Sequence, residues 1–379
     1  MPRRDKKIND LYHRSAAIVD LNCISHNLKI IKEKAPGKKI IAMVKANAYG
    51  HGIIRVAEHL ESEGVDYIGT AFIEEAIALR NVGISIPIIT SAPFSKYQIS
   101  WYIENDIDFT VASIYSLNNI DNAANFFGKK VNIHLKIDTG MMRVGIRYSN
   151  AEKLLKAALS AKNCRVVSIF SHFSTADEEN LDFSYIQLER FLKVTDFYKK
   201  NALEKPLFQI ANSAAILRMN ESHLDMVRAG LMLYGYHPSV YSKSEAILKP
   251  SLSLRSKVIY FKVILKGNFV GYGKTWKAEK NCRAVTIPIG YGDGYSRRFS
   301  NNSWVLIRGQ KYPIIGNIGM DQSVVCIDDG EAYIGDEVIL IGSQGEKEIT
   351  ADDLAKKIGT INYEILTNIS HRVPRIYLP

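Results

Sequence analysis

The sequence predicts an α/β protein: a (β/α)8 barrel followed by a mostly β C-terminal domain. Between residues 39 and 234, eight short β-branched runs alternate with longer stretches of helical periodicity, the pattern of repeated βα units on a parallel sheet. After residue 246, strand-like runs follow one another with Gly, Asn and Asp turns and little helix between them. A length of 379 residues also exceeds what one small domain needs. Two domains are therefore expected, spanning residues 1–246 and 247–379.

The predicted barrel strands run Lys39 to Lys45, Val65 to Phe72, Ser85 to Ser91, Asp108 to Ala112, Lys130 to Asp138, Arg165 to His172, Leu207 to Ala211 and Met226 to Tyr234. Helices are expected in HGIIRVAEHLESEG, FIEEAIALRNVG, NAEKLLKAALSAKN and DFSYIQLERFLKVTDFYKKN, where apolar residues recur at three- and four-residue spacing and several segments end at Gly or Asn. Eight βα units within about two hundred residues favour a closed barrel over an open sheet. Strands of the second domain are read in SLSLRSKVIYFKVIL, CRAVTIPIGYG, SWVLIRGQKYPIIG, MDQSVVCID and DEVILIG. The early run AAIVDLN is left over by the count of eight and is a candidate to pair with that second domain.

Composition narrows the class. With 46% hydrophobic and 23% charged residues, the chain matches an ordinary globular protein with a sizeable core. Its longest apolar runs, such as that around Leu231 to Leu233, fall far below the roughly 18 residues of a membrane span. The first ten residues, MPRRDKKIND, are followed by no apolar segment of a secretory signal, so a cytoplasmic address is expected. Cys23, Cys164, Cys282 and Cys326 are scattered without a CxxC pair, which argues against a disulfide framework and against a zinc site. The balance of 49 Lys+Arg over 39 Asp+Glu gives +10. That charge suits an anionic ligand, but the basic residues are spread out with no nucleic-acid-binding motif, and simple solubility is the better account.

In such a barrel the reactive groups come from the C-terminal ends of the strands. Lys45 closes the run KKIIAMVK, where desolvation disfavours the ammonium and leaves an amine able to form a Schiff base with a carbonyl compound. Any single lysine is more often a strand end reaching water. The following strand ends are polar as a set: Lys136 and Asp138 with Arg143 in the next loop, then His172, then Asn212 and Ser213, then Arg228 and Gly230. A guanidinium holds a carboxylate in a bidentate fork, and the loops after strands seven and eight are where barrels place a phosphate. Taken singly each is weak, since a lone histidine is usually structural and Arg228 could be a buried partner of Asp225. The glycine loops GNFVGYGKTW, IPIGYGDGYSRR and GNIGMDQ do not match a dinucleotide fingerprint. Tyr272 and Tyr291 lie in the first two, where a phenol could serve as acid or base.

The motifs AMVKANAYGHG, KIDTGMMRVG, SHFSTAD, ANSAA, VRAGLMLYG, IPIGYGDGYSRR, GNIGMDQ and TINYEILTNISHRVPRIY, in that order and over essentially the whole chain, resemble those of bacterial alanine racemases. The resemblance implies a homodimer with shared active sites that carries pyridoxal 5'-phosphate and interconverts L- and D-alanine for peptidoglycan; no metal ligand is expected. By the same resemblance Lys45 would hold the cofactor covalently and, once freed, act as one base, while Tyr272 would reach the cofactor from the other subunit as the opposite base. Arg228 would meet the pyridine nitrogen, with His172 between Tyr272 and Arg228. Tyr49, Ser213, Gly230, Leu231 and Tyr363 would bind the phosphate, with Asn212 nearby. Arg143, Met320 and Tyr291 would contact substrate, and Asp321 would support its loop. Lys136 corresponds to a lysine carbamylated in many members, and Gly319 stands where many carry a larger residue.

An arginine at the ring nitrogen has no proton to surrender readily and should leave that nitrogen unprotonated, suppressing side transamination. Within the same architecture the competing readings are a racemase of broader or different specificity and a pyridoxal-phosphate decarboxylase. From another class, the basic charge alone would permit a nucleic-acid-binding protein.

Overall fold

The structure, a computed structural model, describes residues 14–379; the basic opening MPRRDKKIND lies outside the described residues. The chain divides into two compact units. A barrel unit comprises residues 23–48 and 53–249, and a β unit comprises residues 14–22, 49–52 and 250–379.

β1 spans Ser15–Asp20 and belongs to the β unit. The barrel unit then contributes β2 (Lys39–Met43), β3 (Tyr67–Thr70), β4 (Ile88–Thr90), β5 (Phe109–Val111), β6 (Val131–Asp138), the short β7 (Ile146–Arg147), β8 (Cys164–Phe170), β9 (Leu207–Gln209) and β10 (Met226–Ala229). Apart from β7, these pair in parallel in the order β4, β3, β2, β10, β9, β8, β6, β5, and a bridge between Ile89 and Asp108 joins the two ends into a ring. All eight expected runs are present, and the (β/α)8 reading holds. Each strand is buried by barrel interior on one face and helices on the other, so its sequence is nearly continuous apolar rather than alternating, as in Ile40, Ile41, Ala42 and Met43.

The helices bury stripes of matching period. Helix Ile53–Ser62 buries Val56, Ala57 and Leu60, and helix Ala151–Ser160 buries Ala151, Leu154, Leu155 and Ala158. The strands stop earlier than expected. The last ends at Ala229 rather than Tyr234, because Gly230 turns the chain into a short 3-10 segment, Leu231–Tyr234. Likewise β2 ends at Met43, β8 at Phe170 and β9 at Gln209, which leaves Lys45, His172 and Asn212 in the loops that follow.

In the β unit, β11 (Leu252–Lys257), β12 (Tyr260–Ile264), β13 (Phe269–Val270), β14 (Trp276–Lys277), β15 (Cys282–Ile287), β16 (Trp304–Ile307), β17 (Gln310–Ile315), β18 (Ser323–Cys326), β19 (Glu337–Gln344), β20 (Lys347–Ile349) and β21 (Arg375–Leu378) follow. Ten of its strands form one sheet in the order β12, β15, β18, β17, β16, β19, β11, β1, β21, with β20 added to β19. β1 runs antiparallel to β11 and parallel to β21. β11 alternates buried and half-exposed residues, as a strand with one core face must. Helix Ala351–Ile358 is started by a Thr350–Asp353 capping box and ended by Gly359 at φ +65°. No helix among the described residues is long and apolar enough to cross a membrane.

Candidate active site

Lys45 opens a short left-handed turn: Ala46, Asn47, Ala48 and Tyr49 all lie at φ between 51° and 54°, a conformation that costs an L-residue about 1–2 kcal/mol. Local bonds hold it. Ala48 N donates to Val44 O (2.7 Å) and Asn47 Oδ1 accepts from Ile53 N (2.9 Å), so the Asn47 side chain starts the next helix. The turn directs the chain away from the β2 axis immediately after Lys45. Burial lowers the Lys45 pKa, and the charges of Arg143 and Arg228 add to the effect while Glu75 opposes it.

Around it the strand ends supply cations. Lys136, near the end of β6, is buried, its Nζ lies 4.5 Å from the centre of the Phe170 ring, and desolvation together with Arg228 and Arg143 drives its pKa well down. Arg228 of β10 is buried and its pKa falls to about 10 through desolvation. Its Nη2 donates to Ser171 O (2.7 Å), Ile210 O (3.2 Å) and His172 Nδ1 (3.1 Å), and its Nη1 donates to Gln209 Oε1 (2.9 Å). Asp225, the alternative partner weighed for Arg228, instead holds Lys205 and Phe208 N. Accepting from a guanidinium requires a lone pair on His172 Nδ1. Burial and the surrounding cations Arg228, Lys136, Arg143 and Lys45 push its pKa well down, favouring the neutral ring.

The loop after β6 is organised by Asp138, whose Oδ1 accepts from Gly140 N (2.9 Å) and Met142 N (3.2 Å) and so carries Arg143 to an exposed position. Gly145 lies at φ +124°, and a Cβ there would fall 2.8 Å from Asp138 N and 3.1 Å from Lys136 Cγ, so only glycine fits. At the other end, Ser213 Oγ accepts from Gly230 N (2.9 Å) and Asn212 Oδ1 from Ala215 N (3.0 Å). The Ser213 hydroxyl proton remains to be donated, and Leu231 follows Gly230 in the same turn.

The β unit groups the remaining predicted residues in three places. Tyr49 and Tyr363 pack with ring centres 6.0 Å apart, and burial raises the Tyr49 phenol. Tyr272 is exposed between β13 and β14, where its carbonyl accepts from Asn317 Nδ2 (2.7 Å). Tyr291 N donates to Gly319 O (3.0 Å) and Gly292 N to Met320 O (2.9 Å), joining the two glycine loops. Arg372 binds Asp321 Oδ1 (2.6 Å) and lies 3.6 Å from Asp293. Asp293 is also gripped by both Nη atoms of Arg14. A Cβ at Gly319 would meet only Gln322 O, at 3.1 Å. Gln209, Asp293, Arg14 and Arg372 were not singled out from the sequence.

Fold and site define a class: barrel enzymes with a desolvated lysine beyond the first barrel strand and an attached β domain. The chain matches the model of the alanine racemase N-terminal domain over residues 19–238 and that of the alanine racemase C-terminal domain over residues 251–377. It is 41% identical to an alanine racemase of Carboxydothermus hydrogenoformans, covering 96% of this chain and 99% of that one, and 42% identical to one of Clostridium perfringens over 95% and 94%. The solved alanine racemase of Clostridium difficile superposes with a TM-score of 0.92 at 36% identity, over 97% of this chain and 96% of that one. A solved histidine racemase of Leuconostoc mesenteroides superposes at 0.89 with 29% identity, over 97% and 99%. The chain belongs to the alanine racemase family, amino-acid racemases of the isomerase class.

Proposed function

We propose that this protein interconverts L- and D-alanine with bound pyridoxal 5'-phosphate, using Lys45 on one face of the substrate and the partner subunit's Tyr272 on the other. The observation that carries the reading is Lys45 itself, a lysine whose burial and cationic neighbours favour the free amine at a barrel strand end. The surrounding residues fit the cofactor: an amine for its aldehyde, the Ser213 hydroxyl and Gly230 loop for its phosphate, and a buried guanidinium with no carboxylate among its hydrogen-bond partners in the described residues. Tyr49, Leu231 and Tyr363 complete the proposed phosphate set, with Asn212 beside them.

Pyridoxal phosphate, when bound, draws electrons from the α-carbon of the attached amino acid and makes its hydrogen removable. The protein sets geometry and proton traffic. Lys45 Nζ takes or returns a proton on its face, and the phenol oxygen of the partner's Tyr272 does the reverse on the other. Arg228 would meet the ring nitrogen as a donor with no proton to surrender readily, and so would leave that nitrogen unprotonated. Arg143 takes the substrate carboxylate, Met320 and Tyr291 contact the substrate side, and Asp321 is held by Arg372 to support that loop. Lys136, whose free amine is favoured between Arg143 and Arg228, suits a carbamate that both guanidiniums would stabilise. The reading makes the protein a cytoplasmic homodimer that supplies D-alanine for peptidoglycan.

The test is exchange of the α-hydrogen of alanine in heavy water together with the absorbance of the bound cofactor. Lys45→Ala should lose the cofactor–lysine absorbance and exchange. Tyr272→Phe should keep the cofactor while slowing exchange chiefly from one enantiomer, by about 10²–10⁴-fold. No cofactor absorbance and no exchange in the unaltered protein would reject the reading. Because a histidine racemase shares the fold, the same assay over a panel of L-amino acids, with carbon dioxide release monitored, decides the substrate and excludes decarboxylation.

A further inference from the structure

Five polar side chains, from Asp108 just before β5 and from β6, β8, β9 and β10, lie buried inside the barrel and form an unbroken chain of hydrogen bonds. Starting at Arg228, Nη1 meets Gln209 Oε1 (2.9 Å), Gln209 Nε2 meets Ser168 Oγ (2.9 Å), Ser168 Oγ meets His134 Nδ1 (2.7 Å), and His134 Nε2 meets Asp108 Oδ2 (3.0 Å). Asn132 Nδ2 fixes the other carboxylate oxygen (3.1 Å), and the Tyr67 and His134 rings pack edge to face.

The partners decide the first two donors, and a neutral His134 ring decides the other two. A guanidinium only donates, so Gln209 must turn its oxygen to Arg228 and its amide nitrogen to Ser168. Ser168 then accepts, and its own hydrogen goes to its other partner, His134 Nδ1. The imidazole hydrogen is left on Nε2, facing the carboxylate of Asp108. All four bonds therefore point one way, from a buried cation to a buried anion, an arrangement in which each bond polarises the next. Among the described residues, Arg228 has no carboxylate as a direct hydrogen-bond partner.

We propose that Gln209, Ser168, His134 and Asp108 form a positioning relay that orients the Arg228 guanidinium and lends it the charge of Asp108 across the barrel. The inference rests on the reading of Arg228 as the partner of the cofactor's ring nitrogen. None of the four is a catalytic residue; they act through Arg228.

The test has two arms, both on the holoenzyme. Nitrogen-15 spectra of histidine-labelled protein report the His134 tautomer: the relay requires Nε2 protonated and Nδ1 a bare acceptor, and a proton on Nδ1 overturns it. In the second arm, Gln209→Leu and Asp108→Asn are compared singly and together. Gln209→Leu should lower kcat about tenfold with KM for alanine changed less than about twofold, and Asp108→Asn should lower kcat about threefold. In the double variant, Asp108→Asn should cost nothing further, because the relay is already cut. Independent, multiplying losses, or Gln209→Leu at full kcat, would overturn the proposal. Absence of the cofactor band in the unaltered protein would instead defeat the role of Arg228, whereas Nδ1–H at His134 with the band present defeats the relay alone.

Discussion

At the scale of single residues, what distinguishes this site is the crowding of cations, opposed only in part by the carboxylates of Glu75 and Asp138. The charges of Arg143 and Arg228 act on Lys45, Lys136 and His172, and burial disfavours the positive forms of Lys45, Lys136, His172 and Arg228. A lowered Lys45 pKa means that its amine is unprotonated at lower pH than an ordinary lysine at 10.5. Uptake of pyridoxal phosphate by the cofactor-free protein should therefore speed up as pH rises and reach its plateau below 10.5. Arg143→Gln should shift that rise to higher pH by removing a cation. Stopped-flow absorbance checks both, and an uptake midpoint at or above 10.5 would contradict the assignment. Lys45, Lys136 and His172 were legible because each stands at or near the end of a β-branched run, and Arg228 because a cation interrupts the last apolar run. Gln209, Ser168, His134 and Asp108 were not. They sit inside runs that read only as strand, and what joins them is the ring closure that sets neighbouring strands side by side. Asp293 and Arg14 are 279 positions apart, beyond any local pattern.

At the scale of elements, the eight barrel strands were legible from period alone, since parallel strands covered on both faces leave short apolar runs between helical stripes. Their ends were not. Apolar residues continue past the last ladder bond, as in Leu231–Tyr234, where burial persists after the strand has turned into a 3-10 segment. The left-handed turn after Lys45 was equally hidden, because two alanines carry no signal for positive φ. It stores strain that substitution can read. Ala46 is exposed at φ 52°, so Ala46→Gly should stabilise the protein by about 0.5–1 kcal/mol. Gly50→Ala should destabilise it by about 2 kcal/mol or more, since the new Cβ would lie 2.1 Å from Leu366 O at φ +85°. Denaturant unfolding measures both. Equal stability of Gly50→Ala and the parent would show that the β unit yields there.

At the scale of the whole molecule, the proposed function divides the labour between the two units. The barrel unit holds the lysine, the guanidinium and the relay behind it, while the β unit holds Tyr272, Tyr291 and Met320 on linked glycine loops. The two alanine racemase domain models match residues 19–238 and 251–377, and in the proposed dimer each site takes its lysine from one chain and its phenol from the other. The most direct measurement mixes two inactive variants, Lys45→Ala and Tyr272→Ala, unfolded together and refolded as dimers. Half of the dimers should be mixed, and each mixed dimer should own one site with both bases intact, so alanine racemisation should recover to about a quarter of the parent rate. Mixed dimers that form, bind cofactor and remain inactive would contradict the account.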